Sequence, residues 1–521
     1  MKTIRLMPMP VSKLGAALPG SMVKAAGAAM LLLLSACAVG PDYQRPVLDV
    51  GDSYKQARNA MPAQGDGARE MTITEEGLAS QNEGWVLAQP ADAVLRSNWW
   101  EMFNDPVLNR LAESLQQSNY DIAQAEAQYR AAQALLQGSR SAFFPVVGTS
   151  ASVTRSGTGR NGSGFDSSGL GSFGGDNPSN QFGLTADVSW EPDLWGRVRR
   201  SVESSRAGVE ASAADVAATR LSLQSTLAQT YFRLRVADAE KRLLQQTVDA
   251  YQRSLTMNQN RYAVGVAAQA DIEASRAQFE NARTQLLALD WQRAQLEHAI
   301  AVLIGQTPAS FSLETTRSLG TVPVIPVGLP AQLLQRRPDV AAAERRTAQA
   351  NAQIGVAQAA WFPDLLLGAQ AGFRSGQWSQ WLTAPASFWS LGPALALTIF
   401  DGGAREAQLK QARAGYDAQA AAYRQTVLLA LREVEDFLVQ LHVLGQEQVT
   451  QGRALAAARE SLRLTQNQYE AGLIDYLSVV QVETTALNTE RAALTLAADR
   501  LVTSVQLIAA LGGGWEAPAP L

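Results

Sequence analysis

Cysteine and histidine are almost missing from this 521-residue chain. The one cysteine, Cys37, excludes intrachain disulfide bonds and cysteine-rich zinc or iron–sulfur sites. The two histidines, His298 and His442, lie far apart in the sequence, which argues against a histidine metal site and against a histidine-driven hydrolase. The composition therefore predicts a protein with no cofactor, no metal and no redox chemistry.

Enzyme motifs are missing as well. The sequence has no phosphate-binding P-loop and no HExxH zinc motif. Residues 157–162 spell GxGxxG, but a glycine- and serine-rich stretch follows them where a dinucleotide site would need a helix. We interpret these glycines as an extracellular loop, and we predict that the protein is not an enzyme.

Long apolar runs and an excess of positive charge are also lacking. No run after residue 37 approaches the ~18 apolar residues that predict a transmembrane helix. The formal net charge is −4, and all four charged residues before Cys37 are basic, so the remaining chain is more acidic still. A general basic face for nucleic acid is therefore not expected.

The first 36 residues are predicted to be a lipoprotein signal peptide. Basic residues precede the apolar run Ala25–Ala36, which is too short to span a bilayer and has the size of a secretory signal core. The small residues before Cys37 resemble a bacterial lipobox, which predicts lipid attachment, including palmitate, at this cysteine. Ordinary cleavage near Ala36 is the alternative, and Met22 is a second possible start.

The chain contains an internal repeat, with one copy at 104–307 and the other at 330–512. Asn119-Tyr120-Asp121-Ile122 matches Arg337-Pro338-Asp339-Val340, and Phe144-Pro145 matches Phe362-Pro363. The segment from Asn260 to Gly265 matches the segment from Asn467 to Gly472. Each copy is predicted to run helix, strand, loop, strand, long helix, turn, helix.

Two stretches that lack proline predict very long helices. No proline lies between Pro192 and Pro308 or between Pro393 and Pro518, and proline is excluded from helix interiors. Apolar residues recur there at heptad spacing, which indicates supercoiled helices packed side by side. They are Val202, Val209, Val216 and Leu223 in the first stretch, and Val427, Leu431, Val434, Leu438 and Leu441 in the second.

Four segments alternate between apolar and small or polar residues and are predicted to be strands, at about 146–155, 181–190, 364–374 and 391–400. Each has the ~10 residues that a tilted membrane strand needs, although a small soluble sheet would alternate in the same way. Aromatic residues at the strand ends favour the membrane. They are Phe143, Phe144, Trp190, Trp195, Trp361, Phe362 and Phe400 at one end, and Trp378, Trp381, Phe388 and Trp389 at the other.

Four strands cannot close a barrel, and an open sheet edge leaves unpaired N–H and C=O groups that hydrocarbon does not tolerate. Several chains would therefore share one barrel. Two chains give eight strands and a nearly filled interior, whereas three chains give twelve strands and room for a lumen.

Four motifs resemble the outer-membrane efflux lipoproteins of the TolC/OprM-like family, also called outer-membrane factors of NodT type. They are GPDYQRP at 40–46, WWEMFNDP at 99–106, RRPDV at 336–340 and IFDGG at 399–403. The resemblance implies a mixed α/β membrane protein: a homotrimer with a 12-stranded transmembrane β-barrel, a long periplasmic α-helical barrel and an equatorial belt. The belt would be formed by residues 37–103, a proline-rich connector at 308–329 and a tail at 513–521.

The resemblance also implies where function resides. The helix–turn–helix tips would dock a periplasmic adaptor protein that links to an inner-membrane pump of the RND class. The matching positions are Arg261, Tyr262, Val264, Gly265 and Val266 in the first copy, and Tyr469, Ala471, Gly472 and Leu473 in the second. The pore constriction would be lined by Asp271, Asp475, Tyr476, Leu477 and Gln481. Gln481 stands where relatives often carry a carboxylate, and helix packing is the alternative role for this set.

The sequence thus favours an outer-membrane exit duct of a tripartite efflux pump, exporting small toxic molecules or drugs. A protein-secretion duct is the second hypothesis. A lipid-anchored coiled-coil scaffold with no pore is the third.

Overall fold

The computed structural model describes residues 39–46, 54, 98–157, 178–316, 320–323, 325 and 336–513. The predicted signal peptide, the lipid site Cys37, most of the GxGxxG motif and nearly all of the tail lie outside these residues. The chain falls into two compact units. The first contains the residues up to Tyr43, Leu135–Arg206 and Gln349–Tyr416, and the second contains the remainder.

Helices dominate the described residues. Their bounds are Pro106–Ser118 (α1), Tyr120–Ser141 (α2), Arg197–Ala263 (α3), Gln269–Leu303 (α4), Pro338–Ala359 (α5), Ala404–Glu470 (α6) and Tyr476–Ala510 (α7). The repeat is visible in these lengths. The helices α3 and α6 each have 67 residues, and α4 and α7 each have 35. A residue in α3 or α4 therefore has its counterpart 207 positions later.

The heptad pattern decides which face of each long helix is buried. Val209 and Val216 on α3 are buried, and so are Val427, Val434 and Leu438 on α6. The intervening positions carry alanine, serine, glutamine and charged residues, which suits close contact between neighbouring helices.

The α7 helix is long and apolar enough to cross a membrane by length and composition, but 44% of its most apolar window is buried within the chain. This burial is typical of a core helix. In the second unit, Leu501, Val505 and Ile508 of α7 join a hydrophobic core with Trp99 and Phe232.

The strands of the first unit form one antiparallel sheet in the order β1-β2-β3-β4. Their bounds are Val146–Ser156 (β1), Ser179–Trp190 (β2), Asp364–Ser375 (β3) and Ser387–Ala396 (β4). The first three lie within two residues of the sequence expectation.

The predicted bounds of the fourth strand, 391–400, are wrong: β4 begins and ends four residues earlier, at Ser387–Ala396. The ladder pairs Ala396 with Asp364, the first residue of β3, which follows Pro363. Residues 397–400 therefore have no partner strand within the part of the chain that the structure describes. Pro393 lies in β4, an outer strand of the described sheet, and outer strands are where sheets accept proline.

The register gives the sheet one polar face and one apolar face. Residues directly opposite each other share a face. One row across the four strands reads Gly148, Asp187, Gln370 and Ser390, and the next row reads Val147, Val188, Ala369 and Leu391. This division is the pattern expected of a strand set with lipid on one side and water on the other.

Candidate docking tips and closing constriction

Two glycine turns reverse the chain between the paired long helices. Gly265 follows α3 with φ +78°, and Gly472 follows α6 with φ +74°. In each turn the glycine N–H donates to a tyrosine carbonyl three residues earlier, Tyr262 or Tyr469, at 2.9 and 3.0 Å. The left-handed backbone accounts for both glycines, because a side chain with a Cβ rarely adopts it.

We define the first tip as residues 258–271 and the second tip as residues 466–483. Both lie in the second unit. Their outermost apolar side chains are exposed: Val264 by 74%, Val266 by 65% and Leu473 by 74%. Tyr262, Gly265, Ala471 and Gly472 are exposed too. Apolar residues held in water at the end of a rigid helical hairpin are typical of a contact surface.

Tyr469 was predicted to lie on the docking surface, but its side chain is buried in the single chain. The Tyr469 hydroxyl donates to Asn258 Oδ1 at 2.6 Å, and Asn258 itself is fully buried. The Arg261 guanidinium lies 4.6 Å from the centre of the Tyr469 ring, a cation–π arrangement. Tyr469 therefore ties the second tip to α3 and offers no ring surface to a partner.

Tyr476 was predicted to line the constriction, but its side chain is only 1% exposed in the single chain. Its ring centre lies 5.5 Å from that of Tyr469. Val479, Val480 and Met257 complete this small core between α3, α6 and α7. Tyr476 therefore packs inside the chain and does not face a lumen.

The two predicted constriction carboxylates bind helix N-termini. Asp475 precedes α7, where it accepts a hydrogen bond from the Ser478 N–H at 3.1 Å and another from the Ser478 hydroxyl. These bonds, with the hydroxyl first, lower the pKa of Asp475. Asp271 Oδ2 accepts from the Ala268 N–H at 3.1 Å at the start of α4. Both side chains thus have a capping role in the single chain.

The remaining constriction residues face outward. Leu477 is 57% exposed, and Gln481 is exposed one turn further along α7. They lie on one face of the helix, because residues four apart are neighbours on its surface. These two side chains are therefore free to meet a partner or line a lumen.

Glu483 is a buried carboxyl group in the second tip that the sequence analysis missed. It is 7% exposed, and burial raises the pKa of its carboxyl group. The signal was its spacing: Tyr476, Val479, Glu483 and Ala486 step by three and four along α7, so Glu483 occupies a core position.

Two arginines, Arg235 and Arg293, bind the start of the connector to the second unit. Arg235 donates to the Glu314 carbonyl at 2.7 Å, and Arg293 donates to the Leu313 carbonyl at 2.6 Å. Both arginines also pair with the fully buried Asp238. Residues 313 and 314, in the described start of the connector, are therefore fixed to the second unit.

The GPDYQRP motif begins in the first unit. The Arg200 guanidinium donates to the carbonyls of Val39 and Gly40 and to Asp42, at 3.0 to 3.2 Å. Gly40 has φ +112°, and a Cβ there would lie 2.6 Å from the Cα of Gly355. The chain just after Cys37 is thus held in one path that only glycine permits at residue 40.

Comparison with known proteins points to one family. The family described as Outer membrane efflux protein matches residues 111–306 and 329–513. OprJ, an outer membrane protein of Pseudomonas aeruginosa, is 31% identical over 497 residues, covering 93% of this chain and 94% of its own length. The toluene efflux pump outer membrane protein TtgC of Pseudomonas putida is 28% identical over 485 residues, covering 93% and 94%.

A solved structure of the outer-membrane channel OprN has the same fold. It superposes with a TM-score of 0.80 at 30% identity, covering 92% of this chain and all of that one. The family match extends over both repeats and both tips, and most of the chain is aligned in each comparison. This chain belongs to the outer membrane efflux protein family.

Proposed function

We propose that this outer-membrane efflux protein works as a homotrimer whose three four-stranded sheets close a single 12-stranded barrel. The observation that carries this proposal is the sheet itself. Its two outer strands, β1 and β4, each have one ladder partner among the described residues, and its faces are divided into polar and apolar. A closed ring of three sheets satisfies both edges and turns the polar face to a wet interior.

An apolar stripe on α4 supports association between copies. Leu287 and Trp291 are each 67% exposed, and Val302 is 63% exposed on the same face. A tryptophan in water on a helix of this length is costly to leave uncovered. A second copy of the chain would cover it and extend the helical barrel beyond one protomer.

The tips support docking of a periplasmic adaptor, which would link the duct to an inner-membrane RND pump. Beside the apolar residues Val264, Val266 and Leu473, a groove of about 670 Å³ is lined by α3 residues from Asp249 to Arg261. Exposed apolar side chains at the tips, with a polar groove beside them, suit a protein partner whose surface has both apolar and polar residues. We further propose lipid attachment at Cys37, which would hold the chain on the outer membrane.

The transported substrates are proposed to be small toxic molecules or drugs, because toluene and antibiotic efflux appear in the names of the relatives. Protein secretion and a non-porous scaffold are the competing functions. The scaffold would need no membrane sheet, and the divided faces of β1 to β4 favour a channel over it.

Reconstitution into planar bilayers tests the channel. Purified protein should migrate as a trimer after chemical crosslinking and should pass ions. A stable monomer that conducts no ions would refute the proposal. Leu477→Ala should raise single-channel conductance if Leu477 narrows the closed pore. Unchanged conductance would remove Leu477 from the constriction.

Adaptor docking is tested by crosslinking the protein to its cognate adaptor in cells. Val264→Asp and Leu473→Asp should each reduce the crosslinked fraction, because they put charge into an apolar contact. Val449→Asp is the matched control, since Val449 is an exposed valine in the middle of α6. Equal loss in all three variants would argue against docking at the tips.

A further inference from the structure

Glu483 lies where three helices meet in the second tip. Its Oε1 accepts a hydrogen bond from Gln466 Nε2 of α6 at 3.2 Å. Its Oε2 is buried and has no hydrogen-bond partner among the residues that the structure describes. A buried carboxylate oxygen without a donor is costly when the group is ionised and far less so when it is protonated.

The groups that face Glu483 are neutral. They are Tyr251 from α3, Gln466 from α6 and Tyr476 from its own helix α7. Burial, followed by the negative charge of Glu483, raises the pKa of Tyr251 to about 12 and also raises that of Tyr476. Both phenols therefore stay protonated, and in the described part of the chain the group that acts on the Glu483 carboxyl, besides its burial, is the neutral Gln466.

The first repeat shows that this burial is a property of one tip. The counterpart of Glu483, 207 positions earlier, is Arg276 on α4. Arg276 is exposed and pairs with Glu273 at 2.9 Å. The repeat therefore has a solvated ion pair in one copy and a buried, unpaired carboxyl group in the other.

We propose that Glu483 is a proton-binding site that couples the packing of the second tip to pH. When protonated, the carboxyl group stays within the core formed by Tyr469, Tyr476 and Val479. When ionised, it favours a looser arrangement in which water reaches Oε2 and the turn at Gly472 moves away from α3. This inference rests on the proposed channel, since Leu477 and Gln481 of the constriction lie on the same helical turns.

The raised pKa of Glu483 determines how the stability of the closed packing changes with pH. The pKa of Glu483 is raised in the folded tip, chiefly by burial. The closed packing is therefore fully stabilised below the ordinary glutamate pKa and loses stability as pH rises through the raised value. Opening of the duct should increase in that direction.

Single-channel conductance at a series of pH values tests the coupling. From about pH 5 to about pH 8, the wild-type open fraction should rise by about tenfold for each unit by which the pKa is raised. Glu483→Gln should abolish this rise and stay at the acidic, closed level, because glutamine keeps the bond to Gln466 and cannot ionise. Glu273→Gln, which alters the exposed ion pair with Arg276 on α4, should retain the wild-type pH profile.

Thermal unfolding of the same proteins in detergent gives a second readout that needs no conduction. The melting temperature of wild type should fall relative to that of Glu483→Gln as pH rises over the same range. The melting temperature of Glu483→Asp should also fall relative to that of Glu483→Gln, because aspartate can ionise. If Glu483→Gln and wild type show the same pH dependence in both measurements, the inference is wrong. Wild-type protein that never conducts would refute the proposed channel, and the melting series would then decide on Glu483 alone.

Discussion

The two tips share a backbone and differ in what they bury. Each joins a 67-residue helix to a 35-residue helix through a glycine at φ of +74° to +78°. Tyr262 of the first tip is 46% exposed, whereas its counterpart Tyr469 is 7% exposed. Gln269 of the first tip is exposed, whereas its counterpart Tyr476 is buried.

The difference arises because the second tip packs against the first helix pair of the same chain. Asn258 and Arg261 of α3 bind Tyr469, so the second tip has an intrachain support. The equivalent side of the first tip faces outward in the single chain. One repeat therefore supplies a buried anchor and the other an open surface, although their local sequences specify the same turn.

The largest expected difference between the tips comes from removing the two counterpart tyrosines. Tyr469→Ala should lower the local free energy of opening by about 3–5 kcal/mol, because a buried aromatic ring leaves a cavity and an unpaired Asn258. Tyr262→Ala should change it by less than about 0.5 kcal/mol, as expected of an exposed residue. Hydrogen exchange of the tip amides measures both, and equal effects would contradict the proposed asymmetry.

Substitution of either turn glycine should destabilise its tip by the same amount. Gly265→Ala and Gly472→Ala should each cost about 1–2 kcal/mol, because alanine is strained at positive φ. Apart from the adjoining residues, no described atom of the chain lies within 4 Å of a Cβ at either position, so the cost is conformational and free of clashes. Hydrogen exchange at the two turns tests this equality, and a much larger loss at one turn would indicate a contact that the single chain does not contain.

A smaller effect is expected at the cation–π contact. Arg261→Gln should destabilise the second tip by about 0.5–2 kcal/mol, because the guanidinium leaves the face of the Tyr469 ring. Gln468→Ala is the control, since Gln468 is the exposed counterpart of Arg261. The two variants can be compared by thermal unfolding, where similar melting temperatures would show that the contact adds little.

The smallest expected effect concerns the helix cap at Asp475. Asp475→Ala should speed hydrogen exchange at the Ser478 amide, which loses its acceptor. The pKa of Asp475 is lowered by its bonds to Ser478, so the cap is present at neutral pH and is lost as pH falls through that lowered value. In the first tip, Ala268→Ser should slow exchange at the start of α4 by adding a side-chain cap.

Much of the fold followed from local patterns in the sequence. Proline-free stretches with heptad spacing predicted α3 and α6, and alternation predicted β1, β2 and β3 to within two residues. The end of β4 could not be found this way. Leu397 and Ile399 continue the alternation, but β3 begins after Pro363 and offers them no partner.

The tips also combine features that local sequence patterns predict with features that they do not. Gly265 and Gly472 were recognisable because a chain reversal after a long helix needs a left-handed residue, which is a local requirement. The burial of Tyr469 and Tyr476 did not follow from a local pattern, because it depends on α3 residues about two hundred positions away. Glu483 differs, since its spacing along α7 already marks a core position. Asn258 and Tyr469, which hydrogen-bond, are 211 residues apart.

The repeat, the lengths of the helices and the positions of the turns are thus specified locally, since they depend on backbone preferences and spacing within a few residues. The burial of Tyr469 and Tyr476 in one tip and the exposure of Val264 and Tyr262 in the other arise only when the chain folds. Solvent exposure is a property of neighbouring surfaces, and two copies of one local pattern acquire different neighbours when the chain folds.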